Sequence, residues 1–181
     1  MGAVMAKAAA AFIGTNLDDI LVLMLLFAGA GTRVGRLKIT LGQYLGLGVL
    51  TAVSMLCGLG LAKVPEQWLR LLGLVPIFLA LRAWRGRDGE EATQSACGVL
   101  STAALTIANG GDNLGVYIPL FAGFSTGELA VTAAVFALLC GLWCLLGARL
   151  SAVPAVAQAI TRHKGWLVPL VLLLLGLSIL F

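Results

Sequence analysis

Charge is scarce in this chain of 181 residues: Asp, Glu, Lys and Arg together make up 11%, where a soluble globular chain carries about 25%. Too few polar side chains exist to cover a water-facing surface, which excludes an ordinary soluble domain. Disorder is excluded as well, because it needs low hydrophobicity, and here 60% of residues are hydrophobic and mean hydropathy is +1.03. No Gly-x-x-x-x-Gly-Lys-Ser/Thr loop occurs and no length remains for an ATPase domain, so nucleotide does not drive whatever the chain does. Histidine is represented once, by His163 between Arg162 and Lys164, which reads as a surface or headgroup contact rather than a ligand. The four cysteines (Cys57, Cys97, Cys140, Cys144) have neither zinc-knuckle spacing nor the pattern of a secreted disulfide framework.

What remains is apolar sequence in long runs that do not alternate as barrel strands do, so the expected class is an all-α membrane protein. Six helices of about 20 residues use about 120 and leave about 60 for loops and termini. One transmembrane domain is therefore expected to fill 1–181. Spans are expected near 5–30, 39–62, 68–84, 96–123, 128–148 and 165–181. The N-terminal run reads as a retained span, not a cleaved signal peptide.

The net charge of +4 points to no nucleic acid but to Lys and Arg that fix cytoplasmic loops. Arg33, Arg36, Lys38, Arg82, Arg85, Arg87, Arg149, Arg162 and Lys164 fall on one side of the six spans; Lys7, Lys63 and Arg70 fall on the other. That bias predicts a multi-pass membrane protein with both termini extracytoplasmic.

The chain also repeats itself. A shift of 94 residues lays 12–32 over 106–126 without gaps, matching Asp18 to Asp112, Asp19 to Asn113, and Leu26-Phe27-Ala28-Gly29 to Leu120-Phe121-Ala122-Gly123. Repeat one covers about 5–84 and repeat two about 96–181. Three spans per half is an odd number, so the halves are expected as two inverted three-helix repeats, a plan whose binding sites lie near the midplane where the halves meet.

The intramembrane acids carry the chemistry. A carboxylate at the centre of a membrane helix costs about 2.5–3.5 kcal/mol on insertion scales, and such acids mark ion or substrate paths. Thr15, Asp18 and Asp19 are spaced i, i+3, i+4 and are expected on one helical face; Asn109, Asp112 and Asn113 repeat that spacing. Asn16 can join Asp19 at i+3. Gly14, Gly110 and Gly111 let the backbone loosen and free carbonyls. An all-oxygen set of this kind suits a cation, and no Lys or Arg stands near the acids as an internal counter-ion, so metal or protons must balance them. Asp19 is expected to matter less than Asp18 and Asp112, because its counterpart Asn113 is already an amide. Gln43 and Tyr117 are polar groups that can line the path. Gly42-x-x-x-Gly46 and Gly111-x-x-x-Gly115 read as close-packing motifs.

Thr-Asn-Leu-Asp-Asp at 15–19 and Ala-Asn-Gly-Gly-Asp-Asn at 108–113, followed by Val116 to Ala122, resemble the motifs of the CadD-type cadmium-resistance transporters of the lysine-exporter superfamily. The resemblance covers essentially the whole chain. It implies efflux of a toxic divalent cation, usually Cd²⁺, with Asn16, Asp18, Asp19, Asn109, Asp112 and Asn113 carried over as site residues. No cofactor is implied; the metal is the substrate, protons are the expected counter-ion, the bilayer is the solvent, and a homo-oligomer is open. Cys140 and Cys144, at i, i+4, offer soft thiols suited to Cd²⁺ but read first as small buried hydrophobes. Two other functions compete. An amino-acid exporter needs a group to hold a carboxylate, which the acids do not supply. An intramembrane aspartyl protease usually has Gly-x-Gly-Asp, whereas 109–112 reads Asn-Gly-Gly-Asp.

Overall fold

Hydroxyl caps and polar interruptions divide this apolar chain into helices. The structure is a computed structural model that describes residues 1–17, 19–60 and 97–155, with positions 74, 77–78, 80–81, 158, 170, 173–174 and 177. Among the described residues six helices form and no strand does: α1 (Gly2–Thr15), α2 (Asp19–Gly29), α3 (Arg33–Gly58), α4 (Val99–Asn109), α5 (Gly111–Ala122) and α6 (Thr126–Ser151).

The helices α3 and α6 are unbroken, 26 residues each, about 39 Å at the usual rise and long enough to cross a hydrocarbon core of about 30 Å. Thr32 caps α3, its hydroxyl accepting from the Gly35 N–H at 3.0 Å. This cap starts the helix earlier than position 39, so Arg33, Arg36 and Lys38 sit on its first turns and not in a loop. Ser125 caps α6 in a capping box: Glu128 Oε2 accepts from the Ser125 N–H at 2.8 Å while Glu128 N–H reaches the Ser125 hydroxyl at 3.5 Å.

The expected first and fourth spans are not continuous helices. The first divides into α1 and α2, whose axes differ by 66°. The fourth divides into α4 and α5 at Gly110. Asn16 (φ −118°, ψ 15°) and Gly110 (φ −81°, ψ 18°) both leave the helical basin for the bridge region, which stops the i→i−4 ladder. At Asn16 the side-chain amide donates to the Phe12 carbonyl at 2.8 Å, which also accepts the Asn16 main-chain N–H at 3.0 Å. Counting the bent α1–α2 pair as one span, three described segments are long and apolar enough to cross a membrane.

Packing is crossed. The α3 helix lies on α4 and α5, whereas α6 lies on α1 and α2. Gly42 and Gly46 let α3 approach α4 closely: a Cβ at Gly42 would stand 2.6 Å from the Val99 carbonyl oxygen, and one at Gly46 2.6 Å from Thr106 Cβ. That first glycine pair is a packing motif. Among the described residues the second has no such neighbour: no atom lies within 4 Å of a Cβ built at Gly111 or Gly115. On the other side Gly147 of α6 admits Leu23, 2.9 Å from its would-be Cβ. An aromatic cluster fills the middle: Phe12 stands edge-on to Phe136 and Trp143 at 5.5 and 5.3 Å, and Tyr117 stacks on Phe121 at 5.8 Å. Leu100, Leu138 and Leu21 point outward, as lipid-facing side chains do.

The expected third and sixth spans, the basic residues at 63–87 and 162–164, and His163 lie almost wholly outside the described residues. Ala80 and Leu173, which are described, pack against the core.

Candidate functional site

Both interruptions are polar, and they are joined by two groups of hydrogen bonds. In the first, Asp19 opens α2 and is only 5% exposed. Its Oδ1 accepts from Asn109 Nδ2 at 2.6 Å, at the end of α4, and its Oδ2 accepts from Gln43 Nε2 of α3 at 3.3 Å. Gln43 is oriented in turn by Thr106, whose hydroxyl donates to Gln43 Oε1 at 2.6 Å. A cavity of about 10 Å³, room for about one water, adjoins Asp19, Gln43, Thr102, Thr106 and Asn109. The carboxylate dipoles and the amide donors thus meet where the N-terminus of α2 and the C-terminus of α4 converge, and an acid at a helix N-terminus is favoured by the macrodipole.

In the second group, Asn16 is fully buried. Its Nδ2 donates to the Phe12 carbonyl at 2.8 Å and to the Tyr117 hydroxyl at 2.9 Å, and lies 3.0 Å from Thr15 Oγ1. The Thr15 and Tyr117 hydroxyls are 3.0 Å apart, and Thr15 donates back to the Ala11 carbonyl at 3.0 Å. Trp143 of α6 donates its indole N–H to the Asn16 main-chain carbonyl at 2.6 Å. With every donor so engaged, Asn16 Oδ1 has no hydrogen-bond partner among the described residues, and neither has Asn113 Oδ1, on a side chain 2% exposed. Asn113 stands one turn before Tyr117 on the same face of α5, about 6 Å along it. A buried carbonyl oxygen without a partner loses about 1–3 kcal/mol of solvation, so each of these two oxygens has acceptor capacity to spare.

The expected site residues distribute as follows. Thr15, Asn16, Asp19, Asn109 and Asn113 all fall in these two groups. Thr15 and Asp19 are not on one helical face, because the helix stops between them; Thr15 closes α1 and Asp19 opens α2. Asn109 and Asp112 are separated the same way by Gly110. The Asn16 amide bonds to Tyr117, not to Asp19. Asp112 is exposed, with Oδ1 accepting from the Asn113 N–H at 2.9 Å. Asp18 lies outside the described residues. No three His, Cys, Asp or Glu side chains gather among the described residues. Cys97, Cys140 and Cys144 are buried and Cys57 is half-buried, all as free thiols.

Trp143 is the residue that spacing did not single out. Its signal was present all the same: an indole N–H in the middle of an apolar run, away from the interfaces, must find an acceptor. Thr106 was likewise passed over as one of several span threonines.

A sequence-family profile described as "Cadmium resistance transporter" matches residues 12–181. No curated protein and no solved structure matches the chain.

Proposed function

Since the chain belongs to the cadmium resistance transporter family, we propose that it exports divalent metal, Cd²⁺ first, through an oxygen-lined site between its two helix breaks. Membership makes it a membrane transporter and not an enzyme, which sets the aspartyl-protease reading aside. The observation that carries the proposal is the pair of buried amide oxygens, on Asn16 and Asn113, that have no hydrogen-bond partner among the described residues, one at each polar break. Asp18 and Asp112 supply the remaining charge, and Asn109 and Thr15 complete the oxygen set. No Lys or Arg among the described residues stands at the breaks to hold a substrate carboxylate, which argues against an amino-acid exporter.

Six spans form two inverted three-helix halves in one transporting domain of the bacterial plasma membrane, with both termini extracytoplasmic. The crossed packing, with each unbroken helix seated on the broken span of the other half, supports that arrangement. Moving M²⁺ out against an inside-negative potential costs about 4.6 kcal/mol per 100 mV, twice the single-charge value. Proton entry offsets it, with the acids exchanging metal for protons. The test is Cd²⁺ efflux from loaded cells or vesicles, normalised to membrane protein. Asp18→Asn and Asp112→Asn should each abolish export while the protein still inserts. Wild-type rates in Asp112→Asn would remove the second half from the site.

A further inference from the structure

Asn16 is held from two directions by aromatic side chains, Tyr117 through its side-chain amide and Trp143 through its main-chain carbonyl. We infer that Tyr117 and Trp143 are positioning residues that aim the Asn16 side-chain oxygen at the transported metal; the inference rests on the metal-export reading above.

The Phe12 carbonyl can only accept, so the Asn16 NH₂ faces it. The second amide hydrogen faces the Tyr117 and Thr15 hydroxyl oxygens, at 2.9 and 3.0 Å. The Thr15 hydroxyl reaches the Ala11 carbonyl at 3.0 Å, and the Thr15 and Tyr117 hydroxyls share one hydrogen bond. The group thus closes around the amide nitrogen. Its result is an amide whose nitrogen is fully committed and whose oxygen is turned away from all of these groups, buried and free for a cation. Trp143 acts on the main chain of the same residue. Its N–H occupies the Asn16 carbonyl oxygen, so the residue offers the site a side-chain oxygen and not a main-chain one. Both rings are also locked by packing, Tyr117 on Phe121 and Phe136 and Trp143 on Phe12. Tyr117→Phe therefore leaves the ring in place and releases only the polar grip, whereas Trp143→Phe removes the N–H together with part of the indole ring.

The experiment is Cd²⁺ efflux over a range of Cd²⁺ concentrations for Tyr117→Phe, Trp143→Phe, Asn16→Ala and the Asn16→Ala/Tyr117→Phe double variant, with Cd²⁺ affinity of the purified Tyr117→Phe protein measured alongside. Tyr117→Phe should raise the half-saturating Cd²⁺ concentration by roughly five- to tenfold, the worth of about one hydrogen bond, with the maximal rate per protein held within about twofold. Trp143→Phe should move in the same direction. In the Asn16→Ala background Tyr117→Phe should add nothing, because the group it positions is gone. An unchanged half-saturation, a fall in maximal rate alone, or a full-sized effect of Tyr117→Phe without Asn16 would each overturn the inference. If Asn16→Ala does not insert, the affinity of the purified Tyr117→Phe protein decides by itself, and wild-type affinity there overturns the inference. Absence of Cd²⁺ export by the wild-type chain would instead overturn the functional reading, and this inference with it.

Discussion

The two helix breaks share a backbone conformation and little else. At the first, the turning residue is Asn16, whose side chain is engaged: its amide bonds Phe12 and Tyr117, and its oxygen has no partner among the described residues. At the second, the turning residue is Gly110, and the absence of a side chain does the work. A Cβ there would overlap the Leu50 methyls of α3, so glycine is what lets α3 close over the break. The acids that follow differ in the same sense. Asp19 is buried among amide donors, whereas Asp112 is exposed at the start of α5. The two matching segments thus differ in what they bury: the first break buries a side-chain amide and a carboxylate, and the second lets α3 close in, the helix whose Gln43 reaches Asp19.

The most damaging way to break this division is at Asp19. Asp19→Asn places an amide against the Asn109 and Gln43 N–H groups, and hydrogen bonds to a charged group are worth about 1.5–3 kcal/mol each. Cd²⁺ efflux should fall by about 100-fold or more, a factor of ten for each 1.4 kcal/mol. This ranks Asp19 with Asp18 and Asp112, above the place its amide counterpart Asn113 suggested. Efflux within about threefold of wild type would return it to the lesser role.

Exchanging the turning residues gives the sharper contrast. Asn16→Gly should lower Cd²⁺ efflux per folded protein by about tenfold, through a lost ligand, over and above any fall in the melting temperature from its lost hydrogen bonds. Gly110→Asn should do the opposite kind of harm. Overpacking against Leu50 costs about 1–3 kcal/mol, read as a lower melting temperature and partly restored by Leu50→Ala. If both substitutions affect stability alone, the first break has no special chemistry.

A smaller effect is expected where α3 meets α4. Gly42→Ala sets a methyl group against a main-chain oxygen that cannot swing away, so it should destabilise by about 1–2 kcal/mol and lower efflux only through the amount of folded protein. The smallest effect belongs to the thiols. Cys140→Ala with Cys144→Ala should leave Cd²⁺ efflux per folded protein within about twofold if sulfur serves as packing. A collapse of Cd²⁺ efflux, with the protein still in the membrane, would assign a soft-ligand site to α6.

How much of this was legible beforehand follows from the range of the signals used. The repeat is a local match of residues, so both polar segments were found, and the glycines beside them marked places where the ladder loosens. The face expected for Thr15, Asp18 and Asp19 failed because i, i+3, i+4 spacing defines a face only if the helix continues, and α1 ends at Thr15. The partners of the breaks were out of reach for a different reason. Asn109 meets Asp19 across 90 residues and Tyr117 meets Asn16 across 101, and periodicity says nothing about which faces meet. The start of α3 was placed too late because the apolar pattern was weighed above the Thr32 cap and the basic residues that follow it.

The bond between Trp143 and Asn16 joins residues 127 positions apart, and translation proceeds at about 5–20 residues per second. The Asn16 carbonyl is therefore synthesised roughly 6–25 s before the indole that satisfies it. During that interval the first polar turn must be sheltered by water, by lipid headgroups or by the insertion machinery. Completion of the membrane-embedded chain is thus timed by its fifth expected span, and a ribosome stalled before position 143 would hold a nascent protein whose earliest turn has no native place to rest.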